Sequence, residues 1–367
     1  MRILQIIHDQ QRGGVQKLAG MIEQGLAPRR VTFKTAYLYS RADLSAPQKL
    51  LGVLRMIGRI WRRDFDVLIA YQSTASILVG VVGSLAGCRL RIVHQTCTPS
   101  EMPRLLRVLD MIVGTLGLYT VNIANSVATW SEFARYPKTY RRAMILIEHG
   151  LDAPAPMRNR DAVRRFFCLP ASQPLLLNVG RLAPQKNQEV LVRALACLPQ
   201  AHLVVAGDGP QQNALHTLAV TLGVDDRLHL LGALEAEDIA DLYAATDLFV
   251  FPSVWETFGL AAVEAAMAGL PMVVSDLPVL REVLRVDGAE PVGFVASHDT
   301  EGWISALGKA LETPSGKTTR TAFARGMITK YSRQRMIESY LSLFDAYTRS
   351  QPGDTAALPP GAEEAHS

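Results

Sequence analysis

The feature that most constrains this chain is a long alternation of short apolar runs with helix-like segments. Short continuous apolar runs that end in polar or glycine-containing turns predict buried parallel strands joined by helices. The fold class we predict is therefore α/β, with two doubly wound Rossmann-like domains that face a cleft at the carboxyl ends of their sheets. The predicted strands are Arg2–His8, Thr32–Tyr39, Val67–Tyr71, Leu90–His94, Thr120–Ala124 and Met144–Glu148, followed by Leu175–Val179, Leu203–Ala206, Leu228–Leu231, Leu248–Phe251, Met272–Ser275 and Val292–Val295.

A linker separates the two series of strands. At 367 residues the chain exceeds the size at which one core usually stops growing. The segment from Gly150 to Pro156 contains two prolines and no hydrophobic periodicity, so we place the domain boundary there. We predict an N-terminal domain at 1–150, a second domain at 151–330, a closing helix at 331–349 that returns toward the first domain, and a disordered tail at 350–367.

The basic residues are concentrated in the first half of the chain. Residues 1–150 contain 20 Lys and Arg against 9 Asp and Glu, whereas the remainder contains 18 against 25. This asymmetry favours an anionic partner for the first half, such as a membrane surface or a phosphorylated acceptor. No nucleic-acid reading motif is present, so we do not expect nucleic acid as a partner. The four cysteines form no C-x-x-C pair and no secretory signal is recognisable, which predicts a cytoplasmic protein.

Two segments raise the question of a membrane. Val67 to Cys88 has no charged residue and is about as long as a bilayer span requires. A buried strand, a polar turn and a buried helix explain that segment better. Lys49 to Arg63 combines apolar residues with arginines at near-helical spacing, which fits a helix lying on the inner face of the membrane or an ordinary domain helix with a solvated face.

The strongest chemical constellation is a pair of glutamates, Glu256 and Glu264, directly after the predicted strand Leu248–Phe251. A glycine turn and a helix start lie between them, and the backbone N–H groups of a helix start stabilise phosphate or sugar oxygens. Gly259 would let a ligand approach the backbone closely. A lone helical glutamate is usually solvated, but Glu264 is surrounded by alanines and needs a partner if it is buried.

Other candidate residues also follow predicted strands. Arg181 and Lys186 could compensate a diphosphate, although a surface pair of cations more often serves solubility. His94 ends a strand. It would either point into the cleft or have a structural role, with its hydrogen bonds made inside the fold. Gly13 and Gly14 are a weaker candidate for a phosphate-binding loop than the other residues, since no complete glycine-rich phosphate motif is present. We find no metal-binding motif, so we expect no metal and no cofactor.

These motifs together resemble the family 4 glycosyltransferases. The resemblance extends to about Tyr347 and is most specific in the second half; it is carried by Gly13-Gly14-Val-Gln16, Gly180-Arg181 with Lys186-Asn187, Gly207-Asp-Gly-Pro210, Pro252-Ser253, and Glu256-x-Phe-Gly with Glu264. It implies the GT-B fold, a nucleotide-diphosphate sugar as donor, retention of anomeric configuration and no essential metal. Many members use lipid-linked acceptors, which the basic first half would suit. His149-Gly150, where an Asn-Gly is common, is a departure from the family pattern.

The resemblance also implies roles for individual residues. Catalytic roles fall to His94 and Glu256. The residues implied in substrate binding are Gly13 and Gly14, Arg181 and Lys186 for the donor diphosphate, Thr257, Phe258, Gly259 and Leu260 for the sugar and phosphates, and Glu264 for the ribose. A nucleotide-sugar epimerase or phosphorylase of the same fold is the main alternative, and a sugar-binding protein without chemistry is a second.

Overall fold

The computed structural model describes residues 1–10, 13–29, 31–40, 44–286, 291–313 and 315–349. The predicted disordered tail at 350–367 lies outside the described residues. By its contacts the chain divides into two compact units. Among the described residues, the first unit contains Met1–Gly150 and 333–349, and the second contains Leu151–Ser332.

Strands and helices alternate throughout the first unit. Its strands are β1 (Arg2–Ile7), β2 (Thr32–Tyr37), β3 (Val67–Tyr71), β4 (Leu90–His94), β5 (Val121–Ala124) and β6 (Met144–Leu146). Its helices are α1 (Gly14–Leu26), α2 (Ala46–Trp61), α3 (Ser73–Leu85), α4 (Arg104–Thr115), α5 (Val127–Glu132) and α6 (Lys138–Arg142), and the last helix of the chain, Arg333–Arg349, also belongs to this unit.

The first sheet is parallel throughout, in the order β2-β1-β3-β4-β5-β6. Parallel crossovers are right-handed, so the reversal of direction after β2 places α1 on the opposite face of the sheet from α2, α3 and α4. Helix α2 packs on α3, α3 on α4, and α4 on α6, while the last helix packs on α1. The core between the sheet and the α2–α3–α4–α6 layer is apolar and includes Leu68, Val79, Val93 and Phe133.

The second unit repeats the alternation. Its strands are β7 (Leu175–Val179), β8 (His202–Ala206), β9 (Leu228–Leu230), β10 (Leu248–Phe251), β11 (Met272–Ser275) and β12 (Val292–Val295). Its helices are α7 (Arg160–Phe166), α8 (Gln188–Ala196), α9 (Gln212–Leu222), α10 (Ala236–Ala245), α11 (Leu260–Met267), α12 (Pro278–Val283), α13 (Thr300–Glu312) and α14 (Lys317–Lys330); the last helix of the chain, Arg333–Arg349, is therefore α15.

The second sheet is also parallel throughout, in the order β12-β11-β10-β7-β8-β9. Its central strands β7, β8 and β10 are almost entirely buried, as expected of strands covered by helices on both faces. Trp303 of α13 is fully buried in the core of this unit, and its indole N–H donates to the carbonyl of Ala296 at 3.1 Å.

The prediction of two doubly wound α/β domains is confirmed, and each predicted strand is present. Six strand ends differ by one or two residues: β1, β2, β6 and β9 stop at Ile7, Tyr37, Leu146 and Leu230 rather than at His8, Tyr39, Glu148 and Leu231, and β5 and β8 begin at Val121 and His202 rather than at Thr120 and Leu203. The largest differences are at β2 and β6, which are edge strands with one neighbour each. Backbone hydrogen bonds continue past the regular ladder, from the N–H of Tyr39 to the carbonyl of His8 at 2.8 Å and from the N–H of Ile147 to that of Ala124 at 3.0 Å. The uncharged segment from Val67 forms β3 and α3, and no helix among the described residues is long and apolar enough to cross a membrane.

Candidate active site

Three loops of the second unit meet at one edge of its sheet. They follow β7, β8 and β10, which are neighbours in the sheet order, and the carboxyl ends of parallel strands all lie at the same edge. The loop after β7 contains the predicted cations, the loop after β8 contains two glycines, and the loop after β10 contains the predicted Glu256. The fold therefore gathers residues that are up to about eighty positions apart along the chain.

The central contact of this edge is an ion pair between Lys186 Nζ and Glu256 Oε1. The two side chains are only 18% and 9% exposed, respectively. The Lys186 ammonium also lies over the ring of Phe251, 5.0 Å from its centroid, so a cation–π contact supports the pair. The two residues that the sequence assigned to different strand ends are therefore direct partners.

Backbone contacts hold the loops after β7 and β10 together around this pair. The N–H of Val254 donates to the carbonyl of Gln185 at 2.8 Å, and the Gln185 side-chain amide donates to the carbonyl of Trp255 at 3.0 Å. Asn187, with φ of +49°, takes the left-handed conformation that asparagine tolerates better than most residues, and its side chain donates to the carbonyl of Ser297 at 2.7 Å. These contacts fix the position of the lysine between them.

Gly259 sets the start of α11. Its φ is +86°, which favours glycine, and an added Cβ would lie 2.8 Å from Leu280 Cδ2. The first N–H groups of a helix have no partner inside the helix, and the first turn of α11 has no acidic side chain to occupy its positive end. The geometry therefore suits an anionic group near Gly259 and Leu260.

Glu264 is buried in α11, and only 7% of it is exposed. The hydroxyl of Tyr243, on α10, donates to Glu264 Oε2 at 3.2 Å and also to the carbonyl of Ala261 at 3.2 Å. Burial and the nearby carboxylate raise the pKa of Tyr243 well above its ordinary value, so the phenol keeps its proton. Tyr243 is the partner that the buried glutamate required, and the sequence analysis did not name it.

The glycine loop after β8 packs directly on the loop after β7. Added Cβ atoms at Gly207 and Gly209 would lie 2.0 Å from the carbonyl oxygen of Gly180 and 2.3 Å from that of Leu182. Both glycines have φ near +150°. The N–H of Leu182 donates to the carbonyl of Asp208 at 2.8 Å. This loop, which the sequence left open between a simple turn and a nucleotide wall, supports the backbone next to Arg181.

The remaining predicted residues of the second unit differ in their surroundings. Arg181 is exposed at this edge, and Thr257 is partly buried. Phe258 is almost fully buried and makes an edge-to-face contact with Tyr331, with ring centroids 5.2 Å apart. The side chain of Phe258 is therefore part of the core packing, and its predicted substrate-binding role stays a prediction.

His94 lies in the first unit and is 3% exposed. Its ring stacks on Tyr71 with centroids 4.6 Å apart, and the Tyr340 hydroxyl lies 3.2 Å from its Nε2. Burial, with a smaller contribution from His149, lowers the pKa of His94 to about 3. The imidazole is therefore held between two tyrosines, the lowered pKa favours its neutral form, and its predicted catalytic role stays a prediction.

Gly13 and Gly14 lie at the start of α1, also in the first unit. Gly13 caps the helix with an extended backbone, and both glycines are exposed. The Gln16 side chain donates to the carbonyl of Asp9 at 3.0 Å and so ties the first turn of α1 to the end of β1. The fold separates these glycines and His94 from the Lys186 edge in sequence and in unit, and their substrate-binding role stays a prediction.

Known proteins match the second unit in sequence and nearly the whole chain in fold. Residues 159–325 match the family model described as glycosyl transferases group 1. A D-inositol 3-phosphate glycosyltransferase of Mycolicibacterium smegmatis is 32% identical over 206 residues, which are 54% of this chain and 47% of that protein. A protein of the same name from Thermobispora bispora is 28% identical over 375 residues, with 93% of this chain and 84% of the relative aligned. The chain spans about half the length of several curated relatives that it matches.

Solved structures agree at the level of the fold. Anabaena HepE in complex with UDP-glucose superposes with a TM-score of 0.80 at 19% identity, over 94% of this chain and 99% of that one. WaaG, described as a glycosyltransferase involved in lipopolysaccharide biosynthesis, superposes with a TM-score of 0.69 at 15% identity, over 93% of this chain and 99% of that one. The fold therefore places the chain in the GT-B class. The family model of the group 1 glycosyl transferases matches the part of the chain that contains the loops of the second unit.

Proposed function

We propose that the chain is a retaining glycosyltransferase, which moves a sugar from a nucleotide-diphosphate sugar to a hydroxyl of a lipid-linked or cell-surface polysaccharide intermediate. The observation that carries the proposal is the Lys186–Glu256 pair beside the start of α11. A cation, a carboxylate and a helix start lie within one edge of a sheet. The cation suits the diphosphate, the carboxylate suits the sugar hydroxyls, and the helix start suits the negative charge that develops as the diphosphate leaves. The match of residues 159–325 to the group 1 glycosyl transferase model supports the same reaction class.

The donor is proposed to bind with its diphosphate against Lys186, Arg181 and the N-terminus of α11. A diphosphate at Lys186 would compete with Glu256 for the ammonium and free the carboxylate to accept hydrogen bonds from the sugar. Glu264, held by Tyr243, is proposed to accept from the ribose hydroxyls. The complexes of HepE with UDP and with UDP-glucose support a nucleotide sugar as the ligand of this fold.

The proposed chemistry needs no covalent enzyme intermediate and no metal. Lys186 and Arg181 stabilise the negative charge that develops on the leaving diphosphate, and the diphosphate takes the proton of the attacking hydroxyl on the same face of the sugar. Atoms balance, because the bond from the sugar to phosphate oxygen breaks as the bond to the acceptor oxygen forms. Retention of configuration follows from attack on the face that the diphosphate leaves.

The acceptor is proposed to be lipid-linked and anionic. The excess of Lys and Arg in the first 150 residues supports an anionic acceptor. WaaG, by its title, takes part in lipopolysaccharide biosynthesis, whereas the curated relatives are named for D-inositol 3-phosphate. Inositol phosphate is therefore the competing acceptor, and transfer to it alone would overturn the lipid-linked assignment.

Nucleotide binding is the first test. We expect one nucleotide among UDP, GDP, ADP and CDP to raise the melting temperature without added metal, because a ligand at 100 times its Kd stabilises by about 2.7 kcal/mol. Lys186→Ala should remove this response and lower turnover about 100-fold or more. Arg193→Ala, which breaks an exposed ion pair with Glu189 in the same unit, is the matched control and should change neither.

Three outcomes would contradict the proposal. Full turnover by Lys186→Ala and by Glu256→Ala would refute the site. Release of free nucleotide without an acceptor would favour an epimerase or hydrolase, and a product of inverted anomeric configuration by NMR would refute retention.

A further inference from the structure

Helix α4 exposes an apolar face on the first unit. Its exposed side chains recur at intervals of three and four residues, so they lie on one side of the helix. They are between 37% and 70% exposed, which is unusual for large apolar residues grouped on one helix. The residues of this face, which we call the α4 stripe, are Leu105, Val108, Leu109, Ile112 and Leu116.

The opposite side of α4 is already fully packed. An added Cβ at Gly114 would lie 2.2 Å from the ring of Tyr140, so the helix approaches α6 as closely as glycine allows. Asp110 is fully buried and accepts from the hydroxyls of Tyr119 at 2.8 Å and Tyr140 at 2.7 Å. Helix α4 therefore cannot rotate its stripe inward without breaking these contacts, and the stripe is available for an external partner.

Neighbouring helices extend the apolar surface. Helix α2 exposes Leu50, Leu54 and Trp61, which are 60%, 54% and 53% exposed and lie on one side of that helix. Helix α3 packs against both α2 and α4 and exposes Leu85, which is 66% exposed. Because α2, α3, α4 and α6 form one layer on one face of the sheet, their outward apolar residues lie on the same side of the first unit.

The charge of this layer has one sign. Helices α2, α4 and α6 contain three, two and three Lys or Arg residues, and α3 contains none. The only acidic residue within these four helices is the buried Asp110. Exposed carboxylates lie beside these helices, at Asp64, Glu101 and Glu132, but the helices themselves present only cations. Exposed Leu, Ile and Trp side chains combined with an excess of cations are the composition of a surface that lies in the interface of an anionic membrane.

We propose that the α2–α3–α4–α6 layer docks on an anionic lipid bilayer, with the α4 stripe inserted among the acyl chains and the flanking cations at the phosphate groups. A second copy of the chain is a poorer occupant, because a two-fold contact would bring the same cations face to face. The sequence pointed to Lys49–Arg63 alone, and the α4 stripe is the additional element. Docking does not depend on the proposed transfer reaction, and it would bring a lipid-linked acceptor to the first unit.

Vesicle co-sedimentation tests the docking surface. The purified full chain should bind vesicles of phosphatidylcholine and phosphatidylglycerol in equal parts and bind vesicles of phosphatidylcholine much less. The double variant Leu105→Gln with Ile112→Gln should weaken binding at least about 30-fold, because two inserted side chains are lost. Arg55→Gln with Arg104→Gln should weaken it about 10- to 30-fold, with the difference shrinking at high salt.

Matched variants in the second unit control for nonspecific effects. Val220→Gln with Ile328→Gln removes two exposed apolar residues, and Lys317→Gln with Arg325→Gln removes two exposed cations. Both controls should bind like the parent chain. Unchanged vesicle binding by the α4 variant, equal binding to neutral vesicles, or a dimer in sedimentation velocity that the α4 variant abolishes would overturn the proposal. The nucleotide response should persist in the α4 variant, so failure of docking and failure of the donor site are separate results.

Discussion

Mild acid should destabilise the first unit strongly, because that unit buries two neutral histidines. His94 stacks on Tyr71 and contacts the Tyr340 hydroxyl, and His149 Nε2 lies 3.0 Å from the Asn125 side-chain amide. Burial, together with His149, lowers the pKa of His94 to about 3, and burial lowers the pKa of His149 to about 4. The unfolded chain protonates both near the ordinary pKa of 6.5.

The sign and size of the effect follow from this difference in pKa. A histidine whose folded pKa is depressed contributes stability that is present above its unfolded pKa and is lost as pH falls toward its folded pKa. Between about pH 7.5 and pH 5, the unfolded state takes up a proton at each ring and the folded state does not. The loss is about 2 kcal/mol for each histidine and about 4 kcal/mol for both, a large share of the stability of a typical domain.

Hydrogen exchange in urea can measure this loss unit by unit. Peptides from β3 and β4 should show unfolding midpoints that fall between pH 7.5 and pH 5. Peptides from β7 and β8 report the second unit separately, where burial also lowers the pKa values of His202 and His229. His94→Gln should reduce the pH-dependent loss in the first unit by about 2 kcal/mol. His216→Gln, at an exposed position of α9, should leave it unchanged. A pH dependence of His94→Gln equal to that of the parent chain would refute the reasoning.

Three further substitutions test the second unit. Tyr243→Phe removes the hydroxyl that donates to Glu264, and it should lower the free energy of unfolding in urea by about 1 to 3 kcal/mol. It should also reduce the rise in melting temperature with nucleotide, and an unchanged rise would argue against a role for that carboxylate in binding. Gly259→Ala, at φ of +86°, should cost about 1 to 2 kcal/mol and remove nucleotide stabilisation, and full stabilisation would show that the helix start is not used. Arg164→Met deletes a buried guanidinium that pairs with Asp247 at 2.9 Å and should cost about 3 kcal/mol in urea unfolding, whereas a loss below about 1 kcal/mol would contradict its structural role.

The strands could be predicted because buried parallel strands leave a clear pattern in the sequence. Each is a continuous apolar run, such as Leu175–Val179, that ends where a polar or glycine-rich loop begins. The ends of β2 and β6 could not be read in the same way. The end of an edge strand depends on its pairing with one neighbouring strand, and the identity of that neighbour is a property of the topology rather than of the local sequence.

The contacts between site residues on different loops and helices were harder to predict than the residues themselves. The sequence indicated that Glu264 needs a partner if it is buried, but Tyr243 lies on another helix and carries no motif that marks it. Lys186 and Glu256 were both predicted, yet their direct pairing depends on the adjacency of β7 and β10, two strands that are not consecutive. Residue types at strand ends are therefore predictable, whereas the contacts among them require the strand order.

Helix α4 shows a limit of hydrophobic periodicity itself. The spacing of Leu105, Val108 and Ile112 is that of a core-facing stripe, so periodicity alone would bury this side of the helix. The structure buries the other side, because Gly114 permits close packing on Tyr140 and Asp110 finds two tyrosine donors. An apolar stripe that faces outward on a basic layer is stable when a lipid surface replaces the core as its partner, so the same pattern that misleads about burial becomes evidence for docking.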